Sequence, residues 1–171
     1  MQLKRKILKF KKLHPDAILP SYQCDGDSGF DFHAILDEEN PCYFDGSLKI
    51  MGDSYENGEP GLWVKPKSQC VVQTGLAPEI PEGYEIQVRP RSGLAFKKSI
   101  TIVNSPGTID QSYSGPIKII LFNLGNTPFF IKKGDRISQG VMQKVEQFEI
   151  METHALRETE RAAAGFGSTG V

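Results

Sequence analysis

Alternation of apolar and polar side chains sets the first expectation. From Gly83 to Arg89, Tyr84, Ile86 and Val88 alternate with Glu85, Gln87 and Arg89, the period of a strand with one buried face. The same period returns from Pro116 to Gly125, with Ile117, Ile119 and Leu121 on one side and Lys118, Ile120 and Phe122 on the other. The second side is nearly as apolar as the first, so this strand is expected to be covered on both faces, by core or by a subunit contact. Between such runs, 17 glycines and 11 prolines break the chain at roughly the 8–12-residue spacing of short strands closed into a sandwich or barrel. Helical periodicity is poor. Its best stretch, Met151 to Ala164, lacks a sustained apolar stripe, and at most a short helix is expected elsewhere. The chain reads as all-β.

Length and composition narrow this. With 171 residues, 39% hydrophobic and 24% charged, the chain has enough apolar surface for one domain with a true core. No apolar run approaches the ~20 residues needed to span a bilayer, so no membrane association is expected. A formal charge of −1 argues against a strongly basic nucleic-acid binder. Cys24, Cys42 and Cys70 are widely spaced without a CxxC pair, which suits a reduced, cytoplasmic or other intracellular compartment. The basic start (Lys4, Arg5, Lys6, Lys9, Lys11, Lys12) is interleaved with Ile7, Leu8, Phe10 and Leu13. It reads as an edge strand guarded by lysines, not as a secretory signal. Residues 36–62 are polar and turn-rich, with isolated Tyr43, Phe44 and Tyr55, and Trp63 just beyond. A stretch of that length is expected to be functional or to carry its own hairpin, and its aromatics are reasonable anchors for a protein partner.

Four segments can carry chemistry. Arg91-Ser92-Gly93, directly after the first alternating strand, offers a forked cation, a hydroxyl and turn amides, the ingredients of an anion site. Asn104 to Gly115 reads as a hairpin-like arm displaying Asp110 and Tyr113; the carboxylate could activate water and the ring could stack on a sugar, or both could be ordinary turn and core residues. Lys132 to Gln139 is a basic turn entering a strand. Gly165-Phe166-Gly167-Ser168-Thr169-Gly170 matches GxGxxG literally, but lacks the strand before and helix after that a dinucleotide site requires. An arm with donors at Ser168 and Thr169 and an aromatic at Phe166 can instead close over a phosphorylated ligand. His14, His33 and His154 form no ligand pattern, and His33 is expected to be a packing residue.

In this order the segments resemble the motifs of the trimeric dUTPase family: Asp27 to Ala34 is similar to A-G-x-D-L-x-A, followed by Arg91 to Gly93, Gly107 to Gly115, Gly134 to Gln139, and the tail Arg161 to Gly170. The resemblance implies a distorted jelly-roll (β-clip) barrel over residues 1–160. It also implies a homotrimer with exchanged C-terminal arms, in which 161–171 close over the site. The implied activity is hydrolysis of dUTP to dUMP and pyrophosphate with Mg2+, removing dUTP and supplying dUMP for dTMP synthesis. In that scheme Asp110 activates the water that attacks the α-phosphorus, and Tyr113 packs on deoxyribose. Asn104, Gly107 and the backbone of Thr108, Ile109 and Asp110 meet uracil, with Lys118 on the returning strand. Arg91, Ser92, Gly93, Arg136 and Gln139 hold phosphates. Arg161 reaches the γ-phosphate, Phe166 covers uracil with Gly167, Ser168 and Thr169 beside it, and Asp31 contacts the waters of Mg2+.

Two departures stand out. Ala162 and Ala164 replace glycines of the usual tail motif, and alanine resists positive φ by ~1 kcal/mol or more. The stretch around 36–60 is also longer than the family pattern leads one to expect. Among rivals, dCTP deaminases share the fold but differ at the third motif, and a nucleotide-sensing regulator would use the insertion. Zinc-dependent deamination and P-loop chemistry are excluded by the absence of H-x-E, P-C-x-x-C and G-x-x-x-x-G-K-[ST] patterns.

Overall fold

The computed structural model describes residues 6–37, 42–44, 47–49, 55–159 and 162–163. Their elements in chain order are β1 (Lys9–Lys12), β2 (Gly29–His33), β3 (Cys42–Phe44), β4 (Ser47–Lys49), β5 (Tyr55–Glu56), β6 (Glu59–Val64), β7 (Gln69–Gln73), β8 (Leu76–Glu79), β9 (Tyr84–Arg89), α1 (Ser92–Lys98), β10 (Ile100–Ile102), β11 (Gly107–Ile109), β12 (Lys118–Asn123), β13 (Phe129–Lys132) and β14 (Arg136–Lys144). All pairings are antiparallel. One sheet runs β10-β12-β7-β3-β4, a second β11-β9-β14-β2 and a third β13-β6-β5, while β1 pairs with β8 alone.

Both alternating runs form the strands their pattern predicts. In β9, Ile86 and Val88 are buried; in β12 and the residue before it, Ile117, Ile119 and Leu121 are buried while Ile120 and Phe122 are half-covered. Each fully buried Ile or Leu contributes roughly 1.5–3 kcal/mol, and these side chains join a core cluster that also takes in Phe32, Leu76, Ile100 and Ile131. A cluster of rings closes the other end. Phe30 and Phe32 meet edge-on at 5.5 Å, Phe10 lies edge-on to them at 6.1 and 6.3 Å, and Tyr22 meets Phe30 at 5.7 Å, the geometry favoured by ring quadrupoles. The cluster needs a bare backbone on β14. Gly140 is the register partner of Phe30, and a Cβ there would lie 2.5 Å from the Phe30 ring and 2.8 Å from Phe32.

The stretch around 36–62 carries two hairpins, β3–β4 and β5–β6. It is anchored in two sheets, through β3 on β7 and β6 on β13. Trp63 stacks on Phe130 at 4.9 Å, and Lys132 reaches Glu59 at 2.6 Å. The lysine-rich β1 is an edge, as expected, with Lys9 paired to Glu79 at 2.6 Å; Lys4 and Arg5 lie outside the described residues. The three cysteines are free thiols, and burial pushes that of Cys42 up to about 12 and raises that of Cys70 as well.

One expectation is corrected. Arg91-Ser92-Gly93, read as a tight turn, opens directly into α1, because Leu94, Ala95, Lys97 and Lys98 favour helix and the two lysines face the negative end of its dipole. Residues 151–159 contain no helix; without an apolar stripe there is no face to bury, and Phe148, Ile150, Met151 and Leu156 stand exposed.

Two stability predictions arise from this packing. Gly140→Ala is expected to cost about 1–3 kcal/mol of overpacking, read as a lower urea midpoint with unchanged slope. His33 Nδ1 is buried without a hydrogen-bond partner among the described residues. Burial first, then Arg136 and Arg91, hold its pKa below the ordinary value, against the pull of Asp31. The unfolded chain therefore binds this proton more tightly than the folded one, so stability is expected to fall as pH drops below about 6.5. Urea midpoints at pH 7.5 and 5.5 should differ less in His33→Gln than in the wild type; an equal difference would remove His33 from the account.

Candidate active site

The first grouping of polar residues arises where β14 runs between β2 and β9. Gln139 lies opposite Asp31 on one side and Arg89 on the other, so Gln139 and Asp31 share a sheet face. Arg136 is three residues from Gln139, and in a regular strand an odd separation would send it to the opposite, core-facing side. A bulge between Arg136 and Ser138 pairs Arg136 with His33 and Ser138 with Phe32. The extra residue reverses the alternation and brings Arg136 onto the face of Asp31. Ile137 and Ser138 are accordingly both buried.

Asp31, only 8% exposed, then gathers two guanidinium groups. Arg91 Nε donates to its Oδ1 at 2.9 Å and Arg136 Nη1 to its Oδ2 at 3.1 Å, while Arg91 Nη1 donates to the Arg136 carbonyl at 3.1 Å. Gln139 Nε2 donates to the Pro90 carbonyl at 2.9 Å. Its Oε1 lies 2.6 Å from where a Cβ on Gly29 would sit, so a side chain at that position would displace the Gln139 amide. Gln23, Asp27, Ser28, Gly29, Asp31, Arg91, Ser92, Gly93 and Gln139 line a hollow of about 310 Å3; Arg136 stands outside that lining, bonded to Asp31. Arg91 is the residue preceding α1 and caps it without a side-chain bond, which leaves the first amides of the helix without intrahelical partners. Arg91, joined to Arg136 through Asp31, and the free amides beside it are groups that can hold an anion.

A second hollow, of about 240 Å3, is lined by Thr108, Ile109, Asp110, Tyr113, Pro116, Ile117 and Lys118. Its rim is not a self-paired hairpin: β11 pairs with β9 and is the outer strand of its sheet, so one row of its backbone donors and acceptors is not used in the ladder. The following turn is closed by Tyr113 N–H on the Asp110 carbonyl at 3.0 Å. Tyr113 Oη donates to the Pro116 carbonyl at 2.8 Å and lies 2.8 Å from where a Cβ on Gly115 would be. The ring is thereby fixed over glycine, and Asp110 stands exposed beside it. Asn104 and Gly107 meet at the entry to β11, outside this lining.

The two hollows share no residue. Ile109 pairs with Ile86 near the start of β9, whereas Arg91 lies five residues further on, past the far end of that strand, a span of at most ~17 Å. Arg161, Phe166, Gly167, Ser168 and Thr169 lie outside the described residues, as does Ala164. Ala162 takes φ of 42°, the left-handed conformation in which a glycine would be unstrained. Sequence reasoning missed the bulge, the Gly29 contact, and α1; only the last had a local signal, in its helix-forming residues. Among the described residues no three His, Cys, Asp or Glu side chains converge as a metal cage, and no helix is long and apolar enough to cross a membrane.

A family model for dUTPase matches residues 60–170. The chain is 43% identical over 169 residues to the deoxyuridine 5'-triphosphate nucleotidohydrolase of Wolinella succinogenes, covering 99% of this chain and 97% of that one. Among solved structures, the Staphylococcus bacteriophage 80alpha dUTPase with dUPNHPP superposes with a TM-score of 0.76 at 23% identity, over 98% of this chain and 100% of that one. A mutant dUTPase from phage phi11 of S. aureus, described with a structural Mg(II) ion, gives 0.69 at 20% identity, over 90% and 100%. The fold is thus the jelly-roll type of these enzymes, and the chain belongs to the dUTPase family.

Proposed function

We propose that this protein hydrolyses dUTP to dUMP and pyrophosphate in a reduced intracellular compartment. The observation that carries the reading is a preassembled two-arginine anion site together with a separate hollow holding an exposed carboxylate beside a fixed tyrosine, on a chain of this family. Uracil pairs with the unused edge of β11 near Thr108 and Ile109, with Asn104, Gly107 and Lys118 around it. Cytosine presents a donor where uracil presents an acceptor, and a rigid hydrogen-bonding edge can reject such an exchange by ~10⁴ or more. The Tyr113 ring, held by its own hydroxyl, packs on deoxyribose and leaves no room for a 2'-hydroxyl.

Asp110 accepts the proton of a water that attacks the α-phosphorus. The bond from that phosphorus to the bridging oxygen breaks, and pyrophosphate leaves. Arg91, Ser92, Gly93, Arg136 and Gln139 hold the phosphate chain, and the arginines balance charge as it moves onto the leaving group. Arg161 and Phe166 to Thr169 complete the enclosure from the tail. Mg2+, held mainly by the substrate phosphates, would supply charge that polarises the triphosphate. The chain's own acids do not fit as its cage: both oxygens of Asp31 are taken by arginines, and Asp27 Oδ2 accepts the Cys24 amide at 2.7 Å.

The working unit is a homotrimer. On one chain Asp110 and Arg91 belong to separate hollows that share no lining residue, which supports a shared site in which a neighbour's anion-binding groups face each Asp110. The exposed Phe148, Ile150, Met151 and Leu156 and the half-covered second face of β12 support arm exchange and a subunit contact.

Parallel assays of pyrophosphate release from dUTP, dCTP, dTTP and UTP with Mg2+, with ammonia measured in the dCTP sample, test the reading. Release from dUTP alone is expected; ammonia from dCTP would indicate a deaminase, and silence on all four a nucleotide sensor. Asp110→Asn should keep nucleotide binding while kcat falls by about 10²–10⁴, and normal turnover would sink the assigned base. Specific activity should fall on dilution in step with dissociation of the trimer, measured by light scattering. Full activity in a demonstrated monomer would refute the shared site.

A further inference from the structure

We infer that Asp31 is a positioning residue, which holds Arg91 and Arg136 side by side for the triphosphate, and is not a contact of Mg2+. The inference rests on the dUTP-hydrolysis reading above. Each carboxylate oxygen accepts from a different arginine, Oδ1 from Arg91 at 2.9 Å and Oδ2 from Arg136 at 3.1 Å. The carboxylate is the most covered of the three, its side chain 12% exposed against 24% and 44% for the two arginines. Each of its oxygens is already engaged by a guanidinium group, and the two positive charges beside it outweigh its own, which makes it a poor partner for a hydrated dication.

The geometry also explains why a carboxylate is needed. The two arginines reach one place from different elements, Arg91 from the residue before α1 and Arg136 from the bulge of β14. Left alone, two like charges so close would separate, and Arg136 is already the more exposed. Asp31 offsets that repulsion with one charge-assisted bond to each. Because it sits on β2 opposite Gln139, the hydrogen-bonded ladder fixes where the pair is held. Ordering the cations before substrate arrives spares the triphosphate that cost on binding.

The test compares Asp31→Asn, Arg136→Gln and the double variant with the wild type. Measured quantities are kcat, KM for dUTP, the Mg2+ concentration at half-maximal rate, and calorimetric affinity for a non-hydrolysable imido analogue of dUTP with Mg2+ and in EDTA. Asp31→Asn is expected to raise KM by about tenfold or more, with a smaller change in kcat. Analogue affinity should fall by the same factor with and without Mg2+, and half-saturation by Mg2+ should stay within about twofold. The double variant should be hardly worse than Arg136→Gln, the mark of residues acting through one contact. Asp31→Glu keeps the charge but moves it, and provides the same reading should Asn disturb folding: affinity in EDTA should fall there too. Loss of affinity only when Mg2+ is present, or a shifted Mg2+ requirement with unchanged EDTA affinity in either variant, would overturn the inference. A wild-type enzyme that fails to hydrolyse dUTP would overturn the proposed function itself, a separate and distinguishable result.

Discussion

One inserted residue in β14 governs the chemistry of this fold. Side chains alternate strictly along a strand, so Gln139 and Arg136 cannot share a face unless the count between them is changed. The bulge changes it. Were residues 136–139 in regular register, Arg136 would point toward the interior with Ser138 and Phe32, where an unpaired guanidinium is prohibitively costly. With it, Arg136, Gln139 and Asp31 form one row, and Ile137 and Ser138 fill the space beneath. The neighbours of the bulge accommodate it. Ala34 N–H donates to the Asp135 carbonyl and Gly134 N–H to the Ala34 carbonyl, both at 2.8 Å, so the turn that feeds the bulge is itself pinned to the end of β2.

The electrostatics follow from that row. A carboxylate as buried as Asp31 is tolerated only with good partners, and its two arginines are such partners. Glycines at 29 and 140 serve this arrangement from two sides. Gly29 gives the Gln139 amide its place on the outer face, and Gly140 lets Phe30 and Phe32 pack beneath it. Polar site and aromatic core therefore depend on the same stretch of β14 backbone. Substitutions there are felt in both.

How far the sequence revealed this varies by feature. β9 and β12 were legible because a half-buried strand writes its period into the residue order, and β1 because lysines interrupt an apolar edge. The two hairpins of the 36–62 stretch were legible only as an alternative to a functional loop, since their short strands carry no long alternation. α1 went unread because seven residues are too few for a helical stripe, although their propensities were favourable. The bulge could not be read at all: Arg-Ile-Ser-Gln looks like any strand, and only the register against β2 shows that one residue is extra. The candidate site residues were identified through motif resemblance. Their division into two hollows became visible only once pairing was known, because sequence order says nothing of which end of β9 each motif meets.

That division bears on why the activity should require assembly. β9 runs between the two hollows as a stiff spacer, with β11 delivering Asp110 at its start and the chain delivering Arg91 beyond its end. Within one chain the ladder that positions both groups keeps the two hollows apart. On the trimeric reading the same rigidity becomes an advantage, since a neighbour docked in fixed register meets Asp110 with arginines already ordered by Asp31. The exposed apolar residues after β14 add a reason for docking that is independent of the chemistry, because Phe148, Ile150, Met151 and Leu156 gain most from water-free contact. On the trimeric reading, hydrophobic burial of the arm and completion of the site are one event, so an isolated chain lacks both its last apolar contacts and its catalytic geometry.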